Sequence, residues 1–540
     1  MKYITPASFL SCLLFTALLL CSCANRIAPS GGEKDTNPPK LVSSSPENFS
    51  TDFSQKEIII RFDEFVELSD INKQLIISPL IDPSPEITAN KNTLKIKFEK
   101  PLAENTTYTF NFGSSIVDVH EKNTGENFQF VFSTGSFIDS LSVSGTIENA
   151  FNLKTEKGIL VMLYKSFEDS TPSKTPPDYY AKTNDAGNFQ INNIAAGSYT
   201  LFALKDKNSN FLFDQPDEEI AFMNALINLS DSLKPTLRLF KNPASKIRIV
   251  SSSVEEQGKL KIIFNDITQN LSFYATGAVK NPWQLEEFSV NKDTVIIWMT
   301  DTTIDSLKTV FSQNEQPFDT ALFSLRKKIS GRGTKTEKLL ITSNVSAGSF
   351  NPGTDLRLLF AHPVKLMDES KIQFKIDSAA AGEIIYNFLD SIKRNLSIKY
   401  TWKENENYEF IFFPGAFTDI FSLKNDTMKI SFKLKPVTEF GNVVLKVKPV
   451  KDNINLIVQL VNDKDEIAEE KIISITAELP FNLIAPGSYR FKIIYDENNN
   501  NRWDTGNYYL KKQPEKVIYY KEPVIIRSNW DLETEWALTE

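Results

Sequence analysis

The chain reads as all-β, an elongated series of tandem β-sandwich modules, and three observations carry that expectation. Short runs set an apolar residue at every second position, as in Thr93-Leu-Lys-Ile-Lys-Phe98, Thr107-Tyr-Thr-Phe-Asn-Phe112 and Phe128-Gln-Phe-Val-Phe132; a period of two turns one face of a strand toward a core. Aromatic residues, 40 Phe and 16 Tyr among them, suit pleated, half-buried surfaces, and turn residues such as Asn90-Lys-Asn92 and Gly113-Ser-Ser115 punctuate the runs. The length of 540 residues exceeds one sandwich and fits about five modules of roughly 100 residues.

The N-terminus comes first. Phe9–Leu20 is an apolar run behind Lys2, too short for the roughly 20 residues that cross a bilayer and of the size of a signal-peptide core. It ends in Leu20-Cys21-Ser22-Cys23, which resembles the lipobox of bacterial lipoproteins. The resemblance implies removal of residues 1–22 and acylation of Cys23, with palmitate-type chains anchoring the protein at about 0.8 kcal/mol per buried methylene. Residues 23–38 are polar and rich in Gly and Pro and read as a tether. Gly31-Gly-Glu-Lys-Asp-Thr-Asn-Pro-Pro39 resembles the start of Bacteroidota lipoproteins that carry bacterial Ig-like domains. Ala24-Asn-Arg-Ile27 lacks the Asp and the acidic cluster associated with surface export in that group, which implies the periplasmic face of the outer membrane.

Residues 39–135 hold the best alternation. The order of Phe62-Asp-Glu-Phe-Val66, Ile77-Ser-Pro79, Pro101-Leu and Asn105-Thr-Thr-Tyr108 resembles the Ig-like module of S-layer and related envelope proteins. Residues 139–240, with Ser144-Gly-Thr-Ile147, Gly158-Ile-Leu-Val-Met-Leu-Tyr164, Gly187-Asn-Phe-Gln-Ile191 and Ala196-Gly-Ser-Tyr-Thr-Leu201, resemble a prealbumin-like sandwich of the carboxypeptidase-regulatory or collagen-adhesin stalk type. Residues 241–326 form a weakly Ig-like sandwich, 327–337 a charged, Gly-containing linker, and 338–437 an Ig-like sandwich whose runs echo the first. Residues 438–540 repeat the second module. Ala196-Gly197-Ser-Tyr199 leads to Asp206, and Pro486-Gly487-Ser-Tyr489 leads to Asp496 at the same spacing, a repeat that implies modular construction.

Composition narrows the function. Cys12 and Cys21 lie in the expected leader, so the mature chain keeps no free thiol for disulfides, zinc or nucleophilic attack. Two histidines, His120 and His362, leave almost nothing for a triad or a multi-histidine metal site. The 68 Asp plus Glu keep carboxylate-pair chemistry open by count, although no pair stands out by motif. A net charge of -8 without a basic cluster argues against nucleic acid.

Two constellations remain. Each repeat carries an acidic, amide-rich loop: Asp206, Asn208, Asn210, Asp214 and Asp217 in one, Asp496, Asn498, Asn500, Asp504 and Asn507 in the other. Oxygens at loop positions 1, 3, 5 and 9 match an EF-hand-type calcium loop, but position 6 holds Phe211 or Asn501 instead of Gly, and position 12 lacks Glu. The alternative is an Asx-rich turn; calcium is the one candidate ion, bound at millimolar strength, and no cofactor is required. Asp followed by Ser or Thr and an apolar residue recurs at Ser140, Ser232, Thr294, Ser306, Thr320, Ser378, Ser391 and Thr427. That pattern resembles the O-glycosylation sequon of exported Bacteroidota proteins, and it equally marks turns entering strands. Six tryptophans, Trp283, Trp298, Trp402, Trp503, Trp530 and Trp536, read as core packing sooner than as sugar platforms.

The expected function is therefore a non-enzymatic cell-envelope lipoprotein acting as a structural or protein-interaction module. The alternative is a surface glycan-binding protein or adhesin. Its partners would be the membrane, through the lipid, and an unidentified envelope protein or glycan.

Overall fold

Where apolar residues alternate, the strands bury one face. In Glu57–Phe62 and Thr93–Lys97 the side chains of Ile58, Ile60, Leu94 and Ile96 are fully buried while their neighbours reach solvent. The computed structural model describes residues 35–124, 128–229, 234–256, 258–268, 270–276, 284–289, 292–301, 303–325, 338–377, 379–380, 383–448 and 454–538. The expected signal peptide, Cys23, residues 23–34 of the tether and the whole 327–337 linker lie outside the described residues, as do Trp283, Ser232 and Ser378.

The fold is all-β, a tandem set of sandwiches with a separate apolar core in each. In the first module a four-stranded sheet (Leu41–Ser45, Glu57–Phe62, Thr93–Lys97, Glu86–Asn90) faces a three-stranded one (Ile76–Ser78, Thr107–Asn111, Gln129–Ser133). Phe110, Phe112, Phe130 and Phe132, all fully buried, fill the space between. The fourth module repeats this plan with Ile341–Ser343, Leu356–Phe360, Asn395–Lys399 and Ile385–Phe388 opposite a sheet built on Tyr408–Phe412 and Met428–Leu434. Both hold the same corner: the Tyr108 hydroxyl accepts the Ala103 N–H at 3.0 Å and the Tyr408 hydroxyl that of Lys403 at 2.6 Å.

The second and fifth modules also share a topology. Leu141–Asn149 runs parallel to Thr236–Lys241 and antiparallel to Asn188–Ile194, as Gly441–Lys448 runs parallel to Asp531–Ala537 and antiparallel to Ala477–Ile484. The repeated Gly-Ser-Tyr has a physical reason. The hydroxyls of Tyr199 and Tyr489 return to the carbonyls of Ala195 and Ala485, at 2.8 and 2.9 Å, pinning the corner at the start of Ser198–Lys205 and of Gly487–Asp496.

In these two modules alternation breaks down because both faces of a sheet are covered. Every residue of Leu160–Tyr164 is buried: Val161 and Leu163 enter the module's own core, while Leu160, Met162 and Tyr164 join a second cluster with Phe202, Phe222, Phe240 and the distant Tyr508. A strand buried on both faces reads as a continuous apolar run. The second and fifth modules thus pack on each other, and the chain folds back instead of extending as a simple string.

Candidate functional site

The two amide-rich loops have one geometry. The Asp206 carboxylate accepts the N–H groups of Ser209 and Phe211 at 2.7 and 2.9 Å; that of Asp496 accepts those of Asn500 and Asn501 at 3.0 and 2.7 Å. Backbone at the fourth and sixth positions is left-handed in both, with φ of 59° and 63° at Ser209 and Phe211 and 57° and 62° at Asn499 and Asn501. A side chain there carries roughly 1–2 kcal/mol of strain, which the paired carboxylate bonds offset. Phe211 gains further by packing its ring on Tyr180.

The amides turn their nitrogens inward. Asn208 and Asn210 donate to Asp214 at 3.1 and 2.8 Å, and Asn498 and Asn500 donate to Asp504, the latter at 2.7 Å. Position 12 takes no part. Asp217 pairs with Lys207 at 2.5 Å, whose ammonium lowers its pKa, and the Asn507 side chain accepts the Leu510 N–H. The acidic residue that does close each loop is one the spacing rule misses. Glu218 and Glu515, 1% and 2% exposed, each accept the N–H of the second loop residue and that of the ninth: Lys207 and Asp214 at 3.2 and 3.1 Å, Glu497 and Asp504 at 2.9 and 2.8 Å. Burial, helped by the Asp504 and Asp496 carboxylates and opposed by those two N–H groups, raises the Glu515 pKa. Among the described residues no group of three or more His, Cys, Asp or Glu gathers closely enough to hold a metal ion; each loop as it stands is a hydrogen-bonded Asx turn.

Glu218 follows Asp214 by four residues and Glu515 follows Asp504 by eleven, a difference of seven. The extra residues of the fifth module form the plug that enters the second. Tyr508, fully buried, meets Phe222 and Phe202 edge to face at 5.2 and 5.5 Å, donates to the Asp169 carbonyl at 2.7 Å, and its N–H reaches Asn242 Oδ1 at 2.7 Å. Thr505 and Gln513 donate to the carbonyls of Lys241 and Phe222, and Lys511 pairs with Asp169. Gly506 belongs here because a Cβ would stand 2.7 Å from the Phe240 ring. In return, the hairpin holding Phe151 and Leu153 lies on the outer face of the fifth module, with Phe151 5.1 Å from the Trp503 ring and Lys154 paired to Asp465.

The third and fourth modules meet at Trp298, which is fully buried. Arg394 bonds both oxygens of Glu287 at 2.5 and 2.6 Å and the Phe360 carbonyl at 3.0 Å while its guanidinium stacks 5.2 Å from Trp298. His362, 9% exposed, lies between two carboxylates, with Nδ1 2.6 Å from Asp419 and Nε2 3.3 Å from Glu256. Burial disfavours its charge, but the two acidic partners outweigh burial and raise its pKa. The seam is close: a Cβ on Gly258, where φ is 80°, would lie 2.4 Å from the Phe421 ring.

The remaining candidates are scattered. Among the described hydroxyls of the Asp-Ser/Thr pattern, Ser140, Ser306, Thr320, Ser391 and Thr427 are exposed, and Thr294 is half-buried with its hydroxyl on Asp293. His120 is exposed at a turn whose N–H groups Asp118 collects. Trp402 packs inside the fourth module and Trp536 against Tyr520 in the fifth; Trp530, 57% exposed, lies under Arg527 and is not part of a core, contrary to the core-packing expectation. The described tryptophans therefore do not line one groove.

Residues 35–134 match the family described as the bacterial Ig-like domain. No curated protein matches the chain. Solved structures similar to it include the major pilin subunit BcpA of Bacillus cereus, at 11% identity over 74% of this chain and 99% of that one, with a TM-score of 0.14. Others are an S-layer protein, SbsC, at 12% identity over 91% and 68% with a TM-score of 0.14, and the Bacillus anthracis TIE protein, at 8% over 94% and 75% with the same score. At such identities and scores these likenesses carry no argument about function.

Proposed function

We propose that the protein is a non-enzymatic, lipid-anchored envelope scaffold, held at the periplasmic face of the outer membrane by acylated Cys23, whose modules present a surface to an envelope protein. The Ig-like match at residues 35–134 supports this reading most directly, and the apolar run ending at Cys23 supplies the anchor. Reciprocal docking of the second and fifth modules suits a load-bearing or spacing element, because several polar and apolar contacts have to open together. Glycan binding fits less well, since the described tryptophans are mostly committed to cores and seams. Protease added to intact cells is expected to leave the mature chain uncut until the outer membrane is permeabilised; cutting without permeabilisation sinks the periplasmic placement.

In the same reading the two loops stiffen the scaffold when calcium enters. A 180° turn of the amides of Asn208 and Asn210, or of Asn498 and Asn500, replaces inward nitrogens by oxygens. Those oxygens would add to the Asp214 or Asp504 carboxylate; the other carboxylates, Asp206 and Glu218 or Asp496 and Glu515, are held by backbone N–H groups and would have to move in to complete a hard-cation oxygen set. The thermal midpoint is expected to rise between chelator and millimolar calcium. An unchanged midpoint removes the metal and leaves the Asx turn as the loops' whole role.

A further inference from the structure

We infer that the seam between the second and fifth modules contains a pocket for a small oxyanion, a carboxylate or phosphate, held by the ammonium group of Lys492. The cavity there measures about 130 Å³ and is lined by Phe151 and Asn152 of the second module and by Gln459, Asp465, Lys492 and Tyr519 of the fifth. Strand register puts Gln459 and Tyr519 directly opposite Lys492 on its two sides, so the three side chains share the sheet face that meets the second module.

Lys492 is 3% exposed. Its Nζ lies 3.2 Å from the centroid of the Phe151 ring and 5.9 Å from that of Tyr519. Ring faces attract a cation but are poor substitutes for oxygen acceptors. Among the described residues no oxygen accepts a hydrogen bond from this ammonium, and two of the nearby polar groups, Asp465 and the Gln459 amide nitrogen, are engaged elsewhere. Asp465 pairs with Lys154 and, at 3.4 Å, with Arg490. The Gln459 amide nitrogen donates to Glu470 at 2.7 Å.

Burial brings the Lys492 pKa down to about 8, against the pull of Asp465 and Glu470; the group remains mainly charged at neutral pH. A largely buried charge without a protein acceptor is costly unless water or a counter-ion reaches it through the cavity. Lys492 and Asp465 are the charged residues lining the cavity; Asp465 is held by Lys154 and Arg490, Glu470 by Gln459, and an oxyanion brings the acceptors that the ammonium lacks. Size agrees as well: an apolar cavity of about 150 Å³ admits benzene, so this one takes acetate or inorganic phosphate.

The test is the thermal midpoint of the full chain as acetate or phosphate replaces chloride at fixed ionic strength, at pH 6.5 and pH 9.5. The expected result is a saturable rise at pH 6.5, its loss at pH 9.5 where the amine is neutral, and no rise in Lys492→Met, which keeps the packing and removes the charge. A response to acetate alone assigns a carboxylate; a response to phosphate alone assigns a phosphate. Equal responses of wild type and Lys492→Met indicate a general salt effect and overturn the proposal, as does no response to either anion. If Lys492→Met does not fold, the saturation and pH dependence of the wild type decide: a rise that persists at pH 9.5 overturns the site.

Discussion

Tyr508→Ala is expected to detach the fifth module from the second. The ring is fully buried against Phe202, Phe213 and Phe222, and both its hydroxyl and its backbone N–H are bonded to the second module. Truncating a buried aromatic costs about 3–5 kcal/mol. That removes the largest apolar contact of the seam and leaves the Thr505 and Gln513 hydrogen bonds, the Phe151 hairpin and surface ion pairs worth about 0–1 kcal/mol each to hold it. Denaturant unfolding of the variant should separate an early transition of the fifth module from the rest, and solution scattering should report a larger radius of gyration. Tyr509→Ala, at a neighbouring side chain that is 59% exposed, should stay within about 0.5 kcal/mol of wild type. Equal behaviour of the two variants would contradict the role of the plug.

The second large effect is on pH. His362 of the fourth module touches Glu256 of the third and Asp419 of its own, and its folded pKa lies above the unfolded one. The stabilisation it gives is therefore complete below the unfolded value of about 6.5. It is lost as pH rises through the raised folded value. The seam should weaken as pH rises above about 6.5 and through the raised folded value, seen as a falling thermal midpoint in wild type relative to His362→Gln. His362→Leu leaves the fully buried Asp419 without its imidazole, a loss of about 3 kcal/mol at low pH. A wild-type midpoint that tracks His362→Gln at every pH would remove the histidine from the account.

The first and fourth modules were the most legible part of the sequence, because in them one face of each outer sheet meets water and alternation reports burial directly. Ile58, Ile60, Leu94 and Ile96 are core, as their spacing implies. The seams were hidden for the converse reason. Leu160, Met162 and Tyr164 break the period because a loop more than three hundred residues away covers them, and nothing local announces that partner. Lys492 looks like a solvated strand residue until the Phe151 hairpin is laid over it.

The loops were half legible. Asp206, Asn208, Asn210 and Asp214 converge as their spacing suggests, and so do Asp496, Asn498, Asn500 and Asp504. The closing acid was not, because Glu218 and Glu515 stand at different distances from their loops. A fixed position 12 pointed to Asp217 and Asn507, which face away. Aligning the two repeats with a seven-residue gap would have revealed both Glu515 and the plug.

The central claim is that the two repeated sandwiches of one chain clasp each other. Zero-length carbodiimide coupling of the monomeric full-length protein, followed by peptide mass spectrometry, tests it most directly. The account requires links from Lys511 to Asp169 and from Lys154 to Asp465 within one chain. Links confined to modules adjacent in sequence, or appearing only in cross-linked dimers, would contradict it.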